Sequence, residues 1–155
     1  MRQRGFTLVE LVTVMVLLGI LSVYAVARFD PDPFDVSAAA DELVEAVRYT
    51  QQMAMSHSGI DADGDGNADN YRITITAGGY SITLEDSDSS ANVRDPVTGA
   101  VSFSESWSGV ALNPTVTINF NSRGRPDLAA NATITLSKGG DAQTVTIEQT
   151  TGFAR

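Results

Sequence analysis

Residues Phe6 to Ala27 form a run of 22 residues, FTLVELVTVMVLLGILSVYAVA, with a single charge, Glu10. This run constrains the fold more than any other part of the chain. As a helix it is about 33 Å long at roughly 1.5 Å per residue, enough to cross a bilayer core of about 30 Å. A carboxylate inside such a segment is costly unless a cation pairs with it. The run contains no Lys or Arg, so Glu10 requires a cationic partner from elsewhere.

From the residues alone, two readings stay open. A plain transmembrane anchor would have Arg2 and Arg4 holding its N-terminus in the cytoplasm. A secretory signal peptide would be cut after Ala25-Val26-Ala27, which fits the small-x-small pattern and would release a soluble exported module with a Ca²⁺-binding or adhesive role. Against the second, the apolar stretch exceeds the usual h-region of about 7–15 residues, and Glu10 interrupts it.

A third reading rests on a motif. Arg4-Gly5-Phe6-Thr7-Leu8-Val9-Glu10 followed by a long apolar helix resembles a type IV prepilin N-terminus. The resemblance implies that a prepilin peptidase cuts between Gly5 and Phe6 and N-methylates the new amine on Phe6. It also implies that Glu10 pairs with the N-terminal amine of a neighbouring subunit during assembly. The missing cation is then supplied by another chain. On this reading residues 1–5 are a leader, 6–29 a transmembrane and filament-core helix, and 30–155 a periplasmic head.

Composition bounds the head. A chain of 155 residues allows one domain besides the apolar run. The formal charge is −9, and loss of Arg2 and Arg4 leaves 8 basic against 19 acidic side chains, or −11. Nucleic-acid backbones require clustered Lys and Arg, so this balance argues against DNA or RNA as a partner. Cysteine is absent, which removes disulfides and thiol chemistry. For an exported chain, stability must then come from the core or a bound ion.

Arg28-Phe29-Asp30-Pro31-Asp32-Pro33 places two prolines where they disfavour helix, and a break or kink is expected. Asp35 or Ser37 is placed to cap the next helix, expected over about residues 35–57. There Ala40, Leu43, Val44, Val47 and Ala54 fall at helical spacing, with Asp41, Glu42, Glu45 and Arg48 largely elsewhere. Met53 and Met55 read as core filler. His57, the single histidine, stands near the helix C-terminus, and nothing in the sequence suggests catalysis by it. No nucleophile elbow or phosphate loop is present, so the chain reads as a non-enzyme.

From residue 71 to 150 the pattern is antiparallel β. Tyr71–Thr76 and Tyr80–Glu85 alternate around Ala77-Gly78-Gly79, a hairpin signature. Residues 86–100 read as a surface loop. Short strands are expected at Val101–Phe103, Gly109–Leu112 and Thr115–Phe120. A second hairpin, Thr133–Leu136 with Thr144–Ile147, surrounds Lys138-Gly139-Gly140-Asp141. The predicted class is α+β, a long N-terminal helix packed on an antiparallel sheet, and it matches the type IV pilin-like fold that the resemblance implies.

The strongest chemical motif is Asp61-Ala62-Asp63-Gly64-Asp65-Gly66-Asn67-Ala68-Asp69. Alternate carboxylates with a glycine for the sharp turn can wrap oxygens around Ca²⁺, which takes 6–8 such ligands at about 2.3–2.6 Å. Asp61, Asp63, Asp65 and Asp69 would offer carboxylates and Asn67 its backbone carbonyl. The position of the bidentate glutamate in an EF-hand is taken here by Arg72, so the segment is similar to the shorter D-x-D-x-D-G-x-x-D calcium loops. A structural ion is expected.

Phe120-Asn121-Ser122-Arg123-Gly124-Arg125-Pro126 resembles the Phe-x-x-x-Gly-x-Pro segment of the FimT/GspH group of minor pilins and pseudopilins. The stretches near residues 28–43 are similar to minor pilins of MSHA-type pili. Some FimT-like pilins bind DNA through a C-terminal Gly-Arg-x-Arg. Here the tail is Gly152-Phe153-Ala154-Arg155, and Arg123 and Arg125 are expected to pair with nearby acids instead. The resemblance implies a subunit of a type IV pilus or type II secretion filament in a Gram-negative bacterium. Its partners would be other pilin subunits, the prepilin peptidase and an inner-membrane assembly platform.

Overall fold

The structure is a computed structural model that describes residues 7–26, 32–57, 70–85 and 90–155. The chain divides into two compact units, Met1–Pro31 and Asp32–Arg155.

In the first unit, helix α1 spans Leu8–Val26. Its 19 residues make about 28 Å at roughly 1.5 Å per residue. Among the described residues no helix is long and apolar enough to cross a membrane. The remainder of the expected 6–29 helix lies outside the described residues, as do residues 28–31 of the 28–33 stretch where a break is expected.

The second unit opens with α2, Asp32–Ser56. The helix starts earlier than its apolar pattern indicates, so neither Asp35 nor Ser37 is its cap. Pro33 falls within the first turn, where a missing N–H leaves no intrahelical bond unmade. Asp35 instead holds Lys138 in an ion pair at 2.6 Å. The buried stripe is Val36, Ala39, Leu43, Ala46, Val47, Thr50 and Ala54, at the spacing of one helix face. The Thr50 hydroxyl is satisfied by donating to the Ala46 carbonyl at 2.7 Å. Met53 packs against the core. Met55 does not fill it and remains about half exposed.

Strands β1 (Asn70–Thr76) and β2 (Gly79–Glu85) form the expected hairpin, with Thr76 opposite Gly79. The turn is tight because β4 approaches closely. A Cβ on Gly79 would lie 2.0 Å from the Glu105 carbonyl oxygen. The 86–100 stretch is more than a loop. It contains β3, Ser90–Asn92, which pairs with Thr83–Glu85. The next strand is β4 at Phe103–Ser106, later than the expected Val101–Phe103, because Phe103 registers opposite Ile82 on the rest of the β2 edge. β5 is Ala111–Asn113 and β6 is Val116–Phe120. β7 (Ala132–Lys138) and β8 (Asp141–Ile147) form the second hairpin. Its Gly139-Gly140 turn has φ of 60° and 102°, the conformation of a two-residue hairpin loop that glycine adopts without strain.

The strands form two sheets where one was expected. The first runs β3-β2-β1-β6, with β4 also on β2, and the second runs β5-β7-β8. All pairs are antiparallel. Helix α2 packs across both. Alternation buries Ile73, Ile75 and Ile82 from the first sheet and Ile134, Leu136, Val145 and Ile147 from the second against the α2 stripe. The antiparallel α+β class holds, and α2 is the element that joins the sheets.

Candidate assembly interface

Thr7 caps α1. Its Oγ1 accepts the Glu10 N–H at 3.2 Å, and its carbonyl accepts the Leu11 N–H at 3.2 Å. Thr-x-x-Glu is a capping sequence, so Thr7-Leu8-Val9-Glu10 sets the helix start and also places an acid in the first turn, where the helix dipole favours it. The other hydroxyls of α1 turn inward on the backbone. Thr13 donates to the Val9 carbonyl and Ser22 to the Gly19 carbonyl, both at 2.8 Å. These bonds satisfy groups that an apolar environment would otherwise penalise.

Large apolar side chains cover every side of α1, and Leu8, Val9, Val23 and Ile20 are all more than 60% exposed within the unit. A helix apolar all round belongs in lipid or in the core of an assembly. The Glu10 carboxylate has no partner among the described residues. The missing cation inferred from the sequence is therefore absent from this chain's described part. Gly5 and Phe6, the expected processing residues, lie outside it.

Asp61, Asp63, Asp65, Asn67 and Asp69 also lie outside the described residues. Among the described residues no group of His, Asp or Glu could hold a metal ion. The anchors of that loop are described. His57, just past α2, and Tyr71 of β1 have ring centroids 6.1 Å apart, so the segment between them begins and ends at neighbouring points. His57 Nδ1 shares a hydrogen bond with Ser56 Oγ at 2.9 Å.

The Phe120–Pro126 segment forms a closed turn. Phe120 is fully buried and bridges to Pro126. Asn121 Oδ1 accepts the N–H groups of Arg123 and Arg125, each at 3.0 Å. Gly124 takes φ of 72°. From α2, Gln51 Nε2 donates to the Gly124 carbonyl at 2.7 Å and to the Thr151 carbonyl at 2.5 Å. Arg48 Nη2 donates to the Ala154 carbonyl at 3.0 Å, and the tail pairs with β8 through Thr146 and Arg155. Arg123 and Arg125 are exposed, and no acid partner for either is found among the described residues. Sequence reasoning singled out this turn but missed Gln51 and Arg48, whose positions on a helix carry no signal of their distant partners.

A second cluster joins α2 to the first sheet. Glu42 accepts from Trp107 Nε1 at 2.9 Å and from the Tyr80 hydroxyl at 3.5 Å. Burial, reinforced by the Glu42 charge, raises the Tyr80 pKa well above its ordinary value.

Comparison with known proteins agrees with this geometry. Residues 1–26 match the prokaryotic N-terminal methylation motif, and residues 39–151 match the type II transport protein GspH. The pilin-like protein PilA1 of Thermus thermophilus is 30% identical over 159 residues, covering 96% of each chain. No solved structure matches. The chain belongs to the GspH family and is a minor pilin or pseudopilin of the FimT/GspH type.

Proposed function

We propose that this chain is matured by prepilin peptidase between Gly5 and Phe6 and is then drawn from the inner membrane into a filament through α1. The single observation that carries this reading is α1 itself. It is apolar on every side, its Thr and Ser hydroxyls are bonded to its own backbone, and one carboxylate, Glu10, has no partner among the described residues. An amine of Phe6 on a neighbouring subunit supplies the cation. Before assembly the helix rests in lipid, with the acidic head in the periplasm, and an inner-membrane platform passes it to the other pilin subunits. The loop carrying Asp61, Asp63, Asp65, Asn67 and Asp69 holds a structural Ca²⁺ that stiffens the link from α2 to β1. Support for this comes from its carboxylate spacing and from the closeness of His57 and Tyr71 at its two ends.

Intact-mass analysis of the processed protein tests the maturation step. The expected product begins with N-methylated Phe6. A product beginning at Arg28 would overturn the reading and leave a secreted module.

A further inference from the structure

On one flank of α2, beside β4, lies an open cleft of about 470 Å³. Three rings build its wall. Phe103 stands between Tyr49 and Tyr80, with centroids at 5.3 and 5.9 Å and interplanar angles of 70° and 71°. Tyr49 and Phe103 are only half-buried, so the corner keeps ring surface open to solvent. Val97 forms an apolar lip and is 89% exposed.

Acids surround the rings. Glu45 and Glu105 border the cleft and are exposed, and neither meets a Lys or Arg among the described residues. The head segments outside the description, 58–69 and 86–89, contain no Lys or Arg. Arg28 precedes α2, and Glu45 lies about 20 Å along that helix from its start at Asp32, at roughly 1.5 Å per residue. Arg48 borders the cleft but donates to the Ala154 carbonyl and lies against the Phe153 ring. Arg94 donates to the Gly99 carbonyl at 3.0 Å. Tyr80 feels the resulting field. Burial first, then the charges of Glu42, Glu105 and Asp95, hold its hydroxyl well above its ordinary pKa. Ring faces beside carboxylates that lack a cation attract an organic cation, and planar guanidinium suits both partners.

The cleft is open along one side, so a free small molecule would keep much of its surface in water, unlike a ligand in an enclosed pocket. A side chain presented by a filament neighbour arrives at high effective concentration, and a shallow seat then suffices. Charge selects the neighbour. The mature chain carries −11, with 8 basic against 19 acidic side chains, so two copies repel each other. A minor subunit also has other pilins beside it.

We propose that the Tyr49–Tyr80–Phe103 cleft seats an arginine side chain of a different pilin subunit, its guanidinium against the rings and its charge met by Glu45 and Glu105. This rests on the filament reading above and adds a contact between unlike heads to the packing of α1.

A photoreactive benzoylphenylalanine replaces Val97 in the full-length chain, and isolated filaments are irradiated. The expected product is an adduct with a different pilin, mapped by mass spectrometry to a segment that contains arginine. Glu45→Arg with Glu105→Arg reduces the adduct about tenfold, and Glu45→Gln with Glu105→Gln reduces it less. Unchanged melting temperatures verify folding. Changing the mapped arginine of the partner to glutamate restores the adduct with the Glu45→Arg, Glu105→Arg chain. Changing it to lysine weakens the adduct with the parent chain, since ammonium does not stack. An adduct indifferent to charge reversal overturns the proposal. So does an adduct with a second copy of this chain, a mapped segment without arginine, or no adduct while the chain still enters filaments. Absence of every form from filaments overturns the filament reading and this proposal with it.

Discussion

Gln51 on α2 holds the Gly124 carbonyl at 2.7 Å, and the same amide nitrogen reaches the Thr151 carbonyl at 2.5 Å. One helical side chain therefore ties together two turns that are far apart in sequence. Both turns contain a glycine at φ of 72°. A Cβ on Gly152 would lie 2.8 Å from Gln51 Nε2 and from Phe120 Cε1. The Phe-x-x-x-Gly-x-Pro turn, the C-terminal tail and α2 are thus one packed unit. The C-terminal residues are part of the head's closure.

Gln51→Ala leaves two carbonyls without their donor and is expected to lower stability by about 1–3 kcal/mol. Gln51→Glu costs more, since it sets a carboxylate against both acceptors. Chemical unfolding of the full chain in detergent measures both. Equal stability for Gln51→Glu and the parent would contradict this geometry.

Gly152→Ala combines a left-handed backbone with two close side-chain contacts. A loss of about 2 kcal/mol or more is expected, against well under 1 kcal/mol for Gly78→Ala, whose Cβ meets nothing within 4 Å. The ranking is read from melting temperatures of the two variants.

Glu10→Ala leaves cleavage intact but removes the proposed partner of the Phe6 amine in an apolar core. An uncompensated charge there costs about 3–5 kcal/mol, so incorporation into filaments drops steeply while the membrane pool persists. Immunoblots of sheared filaments and membranes measure the split. Normal incorporation would reject the pairing.

Asp63→Ala with Asp65→Ala lowers the melting temperature only when Ca²⁺ is present. The parent's gain should approach about 2.7 kcal/mol when Ca²⁺ is a hundredfold above its dissociation constant. An equal loss in chelator would refute the ion site.

Tyr80 gives the head an alkaline limit. Its pKa is raised in the folded state by burial first and the Glu42 carboxylate second, from an ordinary value of 10.0. The unfolded chain therefore releases this proton at lower pH than the folded chain does. The associated stability is complete below the ordinary value and is lost as pH rises above it. Tyr80→Phe should flatten the fall of melting temperature above pH 10 without changing it at pH 7 by more than about 1 kcal/mol. A slope unchanged by the substitution would exclude Tyr80 as its source.

The two hairpins were legible because alternation and turn glycines are local signals. β1 with β2, and β7 with β8, lie where period-two patterning and Gly-Gly place them. Local signals failed between residues 86 and 106. Val101 is apolar yet 72% exposed, and the strand there is positioned by the free edge of β2. Edge pairing is a non-local choice, made by whichever segment completes the ladder. The start of α2 was missed for a related reason. Pro33 lies within the first turn of α2, where a missing N–H is tolerated and the apolar stripe has not yet begun.

The sequence by itself determined the apolar helix, its lone carboxylate, the hairpins and the glycine turn after Phe120. Periodicity, hydropathy and turn chemistry act over a few residues and are written in order along the chain. Only the tertiary structure decided that the strands split into two sheets spanned by α2. It also decided that Gln51 and Arg48 hold the C-terminal tail. Those relations join residues far apart in sequence, and packing and hydrogen-bond closure set them once the chain has folded.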